Sequence, residues 1–173
     1  MDGGNVKRIV VPLEVTDKAA PELNLVMLAG SKARAHRQKD GSLILTPDTI
    51  TNFAYEIPTL NPSFVTKKYR YFYGSCGNMT GTTGKVGKID LETRETKDWF
   101  EDDLYTSVAY FVPRPGATAE DDGVVLVTLL HGAHKNKVTL LVLNARDMSE
   151  AARVTFTTPS DVPRSLHGIY IPA

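Results

Sequence analysis

A single cysteine, Cys76, excludes an internal disulfide framework and fits a reducing compartment. Charge of one sign is also missing: twenty Lys and Arg balance twenty Asp and Glu. That leaves no basic surface for nucleic acid and no polybasic membrane anchor. No apolar run reaches the length of a membrane-spanning helix. The opening MDGGNVKRIVVPLEV has neither a long apolar core nor a small-residue cleavage site, so no signal peptide is expected. The expected location is cytoplasmic, with peripheral membrane contact left open. Helical periodicity is scarce, confined to a turn or two over Ala145 to Ala152.

What remains is a succession of short β-branched and aromatic runs separated by turn residues. Strands are predicted over Val6–Val15, Leu25–Leu28, Leu43–Thr46, Phe53–Pro58, Tyr69–Gly74, Val86–Leu91 and Thr96–Phe100. They continue over Ser107–Pro113, Val124–Leu130, Val138–Leu143, Val154–Thr157 and Leu166–Ile171. The basic run Ser31–Gly41 is expected as an exposed loop. Many short strands with regular turns define an all-β chain: a sandwich, a barrel or a propeller.

Internal spacing narrows the choice. Asp90 in GKIDLETRETKDWFE and Asn144 in LLVLNARDMSEAARVTF start similar turns 54 residues apart. The aromatic strands ending at Pro58 and Pro113 lie 55 apart, and those entered at Tyr69 and Gly123 lie 54 apart. Four short strands per unit of that length is the size of a larger β-propeller blade. The chain holds two such units, an incomplete one before them and a final strand, too few to close a ring.

Candidate chemistry is sparse. The glycine-rich GSCGNMTGTTGKVGK lacks the phosphate-loop spacing, and no Ser or Thr follows either lysine. His131-Gly-Ala-His134 sits in a polar hairpin without a third ligand and is expected as solvated loop. Asn78-Met79-Thr80 fits a glycosylation pattern that stays idle without a leader. Glu120-Asp121-Asp122-Gly123 is explained as a turn. Tyr69, Tyr71 and Tyr73 alternate along YRYFYG and are expected to pack a sheet face.

The segments FVPRPGATAEDDGVVLVTLL, LLVLNARDMSEAARV and VPRSLHGIYIP, with FAYEIP and YRYFYG before them, resemble the C-terminal third of the carotenoid cleavage oxygenase family. The resemblance implies the last two to three blades of a seven-bladed β-propeller, with residues 1–173 an incomplete part of that domain. It implies Fe(II) on the axis held by four histidines, and oxidative cleavage of a carotenoid, or isomerisation of a retinoid, with dioxygen. His167 in SLHG matches the family's last iron-binding histidine. Glu56 in YEIP matches a carboxylate that accepts a hydrogen bond from a ligand histidine. Glu56 and His167 lie 111 residues apart, about two repeat periods, so both are expected on innermost strands facing one axis.

Two departures accompany the resemblance. Val108 stands where the family carries another such Glu, and Ala109 where it carries Pro; a valine accepts no hydrogen bond. The other three ligand histidines belong to blades upstream of Met1, and His36, His131 and His134 lie outside any matching motif. No catalytic side chain other than the metal ligand is assigned. The alternative expectation is a truncated or degenerate propeller fragment that acts, if at all, by binding other chains.

Overall fold

The computed structural model describes residues 5–15, 20, 23–77, 84–164 and 167–171. It divides into two compact units, Met1–Ala54 and Tyr55–Ala173. No α-helix occurs among the described residues, and no helix there is long and apolar enough to cross a membrane.

The first unit holds two small antiparallel pairs. Strand β1 (Lys7–Arg8) pairs with β4 (Asp48–Thr49), and β2 (Arg34–Arg37) pairs with β3 (Leu43–Thr46). Four residues of the basic run Ser31–Gly41, Arg34–Arg37, are therefore a strand, and the rest of it lies outside strands. Ala33 and Ala35 are buried while Arg34 faces solvent, and the charges had hidden that alternation. Val6–Val15 keeps only the two residues of β1 in a strand. Leu25–Leu28 forms none; Leu25 N–H bonds to the Ala35 carbonyl beside β2 at 2.9 Å. Buried Asp48 organises this unit, accepting from Arg8 Nη2 at 3.0 Å and from the Lys32 amide at 2.9 Å.

The second unit carries two four-stranded antiparallel meanders. One contains β5 (Glu56–Thr59), β6 (Tyr71–Gly77), β7 (Gly84–Asp90) and β8 (Thr96–Phe100) in that order. The other contains β9 (Leu104–Pro113), β10 (Gly123–His131), β11 (Lys137–Asn144) and β12 (Glu150–Thr157). The repeat is exact in its turns. Asp90 N–H bonds to Glu95 O and Arg94 N–H to Asp90 O; Asn144 N–H bonds to Ser149 O and Met148 N–H to Asn144 O. Arg94 and Met148 occupy the left-handed region at φ 65° and 64°. Asp90 and Asn144 each fold a side-chain oxygen onto an amide two residues on, the local bond that makes Asx residues start turns. The helical hint at Ala145–Ala152 resolves into this turn and the start of β12.

The two sheets pack face to face over Tyr73, Val86, Leu104, Ala109, Phe111, Val125, Val127, Leu129, Leu141 and Leu143. Tyr73 stacks on Phe111 with ring centroids 5.4 Å apart and donates its hydroxyl to the Ala145 carbonyl at 3.1 Å. Such a pair adds about 0.5–1.5 kcal/mol beyond the area it buries. Strand β6 is covered on both faces, since the consecutive residues Phe72 and Tyr73 are both buried. Tyr71 and Tyr73 share one face of β6, Phe72 is buried on the other, and Tyr69 precedes the strand and is exposed.

The acidic turn does more than reverse the chain. Glu120 accepts from the amides of Arg70 (2.8 Å) and Tyr71 (2.6 Å), and Asp121 pairs with Lys88 Nζ at 2.6 Å. Asp122 pairs with Arg114 and Arg146. Three consecutive carboxylates therefore tie the β9–β10 turn to the neighbouring sheet and to the adjacent β11–β12 turn.

Candidate functional site

The sequence-predicted residues fall on the first strand of each sheet and on the segment after the last strand. Glu56 opens β5, exposed, with its Cα opposite Ser75 of β6. The pairing skips at this point: Glu56 faces Ser75 and Thr59 faces Tyr73, so Ile57 and Pro58 together oppose Gly74. Ile57 takes φ 49°, an unusual value for a β-branched residue. The second sheet repeats the irregularity. Ala109 faces Val127 and Thr106 faces Leu129, leaving Ser107 and Val108 opposite Thr128. A bulge in the first strand of both sheets re-aims the side chains beside it.

Hydroxyls lock the two bulges together. Ser75 Oγ donates to the Ser107 carbonyl, and Thr59 Oγ1 donates to the Ala109 carbonyl, on either side of Val108. Ser107 Oγ in turn accepts from the Thr128 amide at 3.1 Å, satisfying a donor that the bulge takes out of the ladder. A Cβ on Gly84 would meet Thr106 Oγ1 at 2.5 Å, so only glycine lets β7 approach β9 this closely. Val108 itself is buried. The ladders make the Ser107–Val108 bulge the pairing counterpart of Glu56: Ser75 faces Val86 and Thr128 faces Leu140, 54 residues on from Val86, so Ser75 corresponds to Thr128.

His167 lies beyond β12, exposed, in a stretch (residues 167–171) with no strand pairing. The expected strand Leu166–Ile171 is therefore absent over its described residues; Leu166 lies outside them. No group of three or more His, Cys, Asp or Glu able to hold a metal occurs among the described residues. The segment before His167 is anchored, with Val162 N–H bonded to the Lys135 carbonyl at 2.8 Å. Val162, Pro163 and Arg164 share a cavity of about 40 Å³ with Tyr105, Ser107, Thr128 and Leu130. Further along, Tyr170 lines a cleft of about 880 Å³ with Tyr110, Val112, Val124 and Arg146.

Comparison with known proteins places this architecture. The family model described as retinal pigment epithelial membrane protein matches residues 2–172. The chain belongs to the carotenoid oxygenase family. Carotenoid isomerooxygenase of Galleria mellonella is 41% identical over 133 residues, covering 74% of this chain and 26% of the relative. Beta,beta-carotene 15,15'-dioxygenase of Mus musculus is 32% identical over 167 residues, covering 96% and 29%. A tryptophan-to-alanine mutant of Synechocystis apocarotenoid oxygenase superposes with a TM-score of 0.65 at 23% identity, covering 82% of this chain and 30% of that one. A cobalt-substituted form of the same enzyme gives 0.64. The chain spans less than a third of the length of these carotenoid oxygenases, and the two meanders are consecutive blades of the family's propeller.

The remaining singled-out residues keep local roles. His131 ends β10, where its Nε2 lies 2.9 Å from Thr139 Oγ1; His134 is exposed in the hairpin loop. Burial, with Lys137 and His134 nearby, pushes the His131 imidazole below its ordinary value. Asn78, Met79 and Thr80 lie outside the described residues. Two arrangements had no signal in the sequence: the buried Lys88 and the hydroxyl bonds across the bulges. Both join residues more than thirty positions apart, beyond the reach of a local pattern.

Proposed function

We propose that these 173 residues form the C-terminal part of a non-haem iron oxygenase that cleaves a carotenoid double bond, or isomerises a retinoid, with His167 its one iron ligand from this chain. The observation that carries the reading is the family match, which runs through residue 172 and so includes the SLHG motif. Relatives named carotenoid isomerooxygenase and beta,beta-carotene 15,15'-dioxygenase supply the substrate class.

The residues present suit one position of an Fe(II) centre and not a whole one. A neutral imidazole is an apt donor for ferrous iron, and His167 is exposed on an anchored segment. When bound, ferrous iron supplies the activation of dioxygen. His167 needs a hydrogen-bond acceptor on the ring nitrogen turned away from the metal, which fixes its tautomer. Glu56, exposed on β5, is the acceptor this chain offers to a ligand histidine. Val108 cannot serve in that way. In the cleavage reaction one carbon–carbon double bond and one dioxygen become two carbonyl groups, so no external reductant is required.

The test compares wild type, His167→Ala and Glu56→Gln in the full-length protein, reading iron content after purification and aldehyde formation from β-carotene. Loss of both in His167→Ala, with a 10–100-fold weaker hold on iron in Glu56→Gln, is expected. Stoichiometric iron and undiminished turnover in His167→Ala would overturn the assignment.

A further inference from the structure

The residue before Glu56 lays its side chain across three strands of the first sheet. Gly74 of β6 faces Gly87 of β7, and Gly87 faces Asp98 of β8, so the three form one row. Their strand neighbours Tyr73, Val86 and Trp99 pack toward the core between the sheets, so by alternation the row faces away from the second sheet. Two adjacent glycines leave a groove there, and the Tyr55 ring fills it. A Cβ on Gly74 would meet Tyr55 Cβ at 3.0 Å, and one on Gly87 would meet Tyr55 Cε1 at 2.5 Å. At the end of the groove Tyr55 Oη donates to Asp98 Oδ1 at 2.6 Å. Lys85 Nζ holds Asp98 Oδ2 at 2.7 Å and lies 5.2 Å from the tyrosine ring centroid. Tyr55 is buried as a result. Burial and the Asp98 carboxylate push its hydroxyl well above the ordinary value, so it remains a proton donor.

Strand β5 gains from such an anchor. It is the edge of its sheet, four residues long, and its pairing to β6 is broken between Glu56 and Thr59. The ladder therefore fixes Glu56 through one register pair, with Ser75, whose hydroxyl points the other way and donates to the Ser107 carbonyl. Tyr55 and Glu56 share a planar peptide unit, so a fixed Tyr55 leaves the Glu56 backbone little freedom. Glu56 is thus gripped on the outer face by Tyr55 and, through Ser75, on the face toward the second sheet. Its own side chain is exposed, so its direction comes from the backbone and not from packing around the carboxylate.

We infer that Tyr55 is a positioning residue for Glu56, with the Gly74–Gly87 groove and Asp98 as its seat. The inference rests on the reading of Glu56 as the acceptor for a ligand histidine. An acceptor that swings away by about 1 Å no longer meets a ring N–H within hydrogen-bond range. Because Tyr55 acts through the direction of one carboxylate, losing it costs no more iron affinity than losing the carboxylate, for which the usual range is about 10–100-fold.

The experiment uses the full-length protein with Tyr55→Leu, which cannot reach Asp98, and Tyr55→Phe, which keeps the ring in the groove. Glu56→Gln and the double variants Tyr55→Leu/Glu56→Gln and Tyr55→Phe/Glu56→Gln complete the cycle. Iron retention against a competing chelator and the urea midpoint are measured for each. About tenfold weaker retention in Tyr55→Leu and a smaller loss in Tyr55→Phe are expected, with both double variants matching Glu56→Gln alone. Should Tyr55→Leu show no urea transition, the Tyr55→Phe cycle decides by the same criteria on a folded protein. Wild-type retention in the Tyr55 variants, while Glu56→Gln loses iron, overturns the positioning role and leaves the Glu56 reading intact. Equal losses from the Tyr55 change with and without Glu56 also overturn it, since the effect then does not pass through the carboxylate. Wild-type retention in Glu56→Gln overturns the Glu56 reading, and the positioning role with it.

Discussion

Replacing Lys88 with Met should destabilise the protein by about 2–4 kcal/mol. Lys88 stands on β7 with its side chain only 6% exposed, and its ammonium has three partners. Asp121 Oδ2 lies at 2.6 Å, the Arg146 carbonyl at 3.1 Å, and the Tyr71 ring centroid at 3.9 Å. One side chain thereby joins the first sheet to the β9–β10 turn and to the β11–β12 turn. Breaking a fully buried pair costs about 3–5 kcal/mol, because the remaining charge stays desolvated. Asp121 is 20% exposed, so water recovers part of that cost, which places the estimate near the lower end. The cation–π contact adds about 1 kcal/mol and the carbonyl bond a similar amount, not independently. Met keeps the apolar stem packed, so the loss isolates the charge. Urea denaturation of wild type, Lys88→Met, Asp121→Asn and the double variant measures the coupling, expected at about 1–3 kcal/mol. A cost below about 1 kcal/mol for Lys88→Met, or strictly additive effects in the cycle, would refute the claim that this pair fastens the blades.

The turn at Asp90 predicts an acid-sensitive term. Burial alone would raise the Asp90 carboxyl, but the Arg70 guanidinium and the amides of Glu92 and Thr93 outweigh it and hold the pKa at about 2. A depressed carboxylate stabilises the folded state above its unfolded value near 4 and loses that contribution as pH falls toward 2. The stability gap between wild type and Asp90→Asn should therefore be constant above pH 5 and shrink steadily between pH 4 and 2 in denaturation series. Gly123→Ala should cost about 1–3 kcal/mol, since the added Cβ would run into the Val112 carbonyl, which is backbone and cannot swing aside; the midpoint shift in urea reads it. Val108→Glu should cost about 3 kcal/mol or more, because the bulge buries that position and the new carboxylate would have no described partner there. Val108→Ala, measured beside it, should lose only the smaller packing contribution.

Local chemistry made the repeat legible and distance hid the site. The turns at Asp90 and Asn144 could be placed from sequence because an Asx side chain bonds an amide two residues on, a decision made within one turn. The strands from Val86 to Thr157 were legible for a similar reason, their apolar runs being interrupted by those turns. The strand Arg34–Arg37 inside Ser31–Gly41 was hidden because charges there outnumber the two alanines that carry the burial. Burial of Lys88 depends on Asp121 and on the Arg146 carbonyl, 33 and 58 residues away, and no pattern around GKVGKID announces it.

The bulges add a subtler lesson about the position where a second carboxylate is expected. The FVP motif selects Val108, and strand pairing selects the Ser107–Val108 bulge opposite Thr128 as the counterpart of Glu56. The ladder alone leaves two candidates: Ser75 corresponds to Thr128, because their partners Val86 and Leu140 lie 54 residues apart, and Thr128 has two residues opposite it. A motif aligns residues by what they are, and a ladder aligns them by what they face. Where a bulge places two residues opposite one, the ladder narrows the choice to that pair and the motif picks one of them. Here the carbonyls of Ser107 and Ala109 accept the Ser75 and Thr59 hydroxyls, so the backbone on both sides of Val108 is committed to the neighbouring sheet. Residue 108 is thus held in a fixed place by its neighbours whatever side chain it carries. That hold rests on the Ser75 and Thr59 hydroxyls and not on the valine side chain.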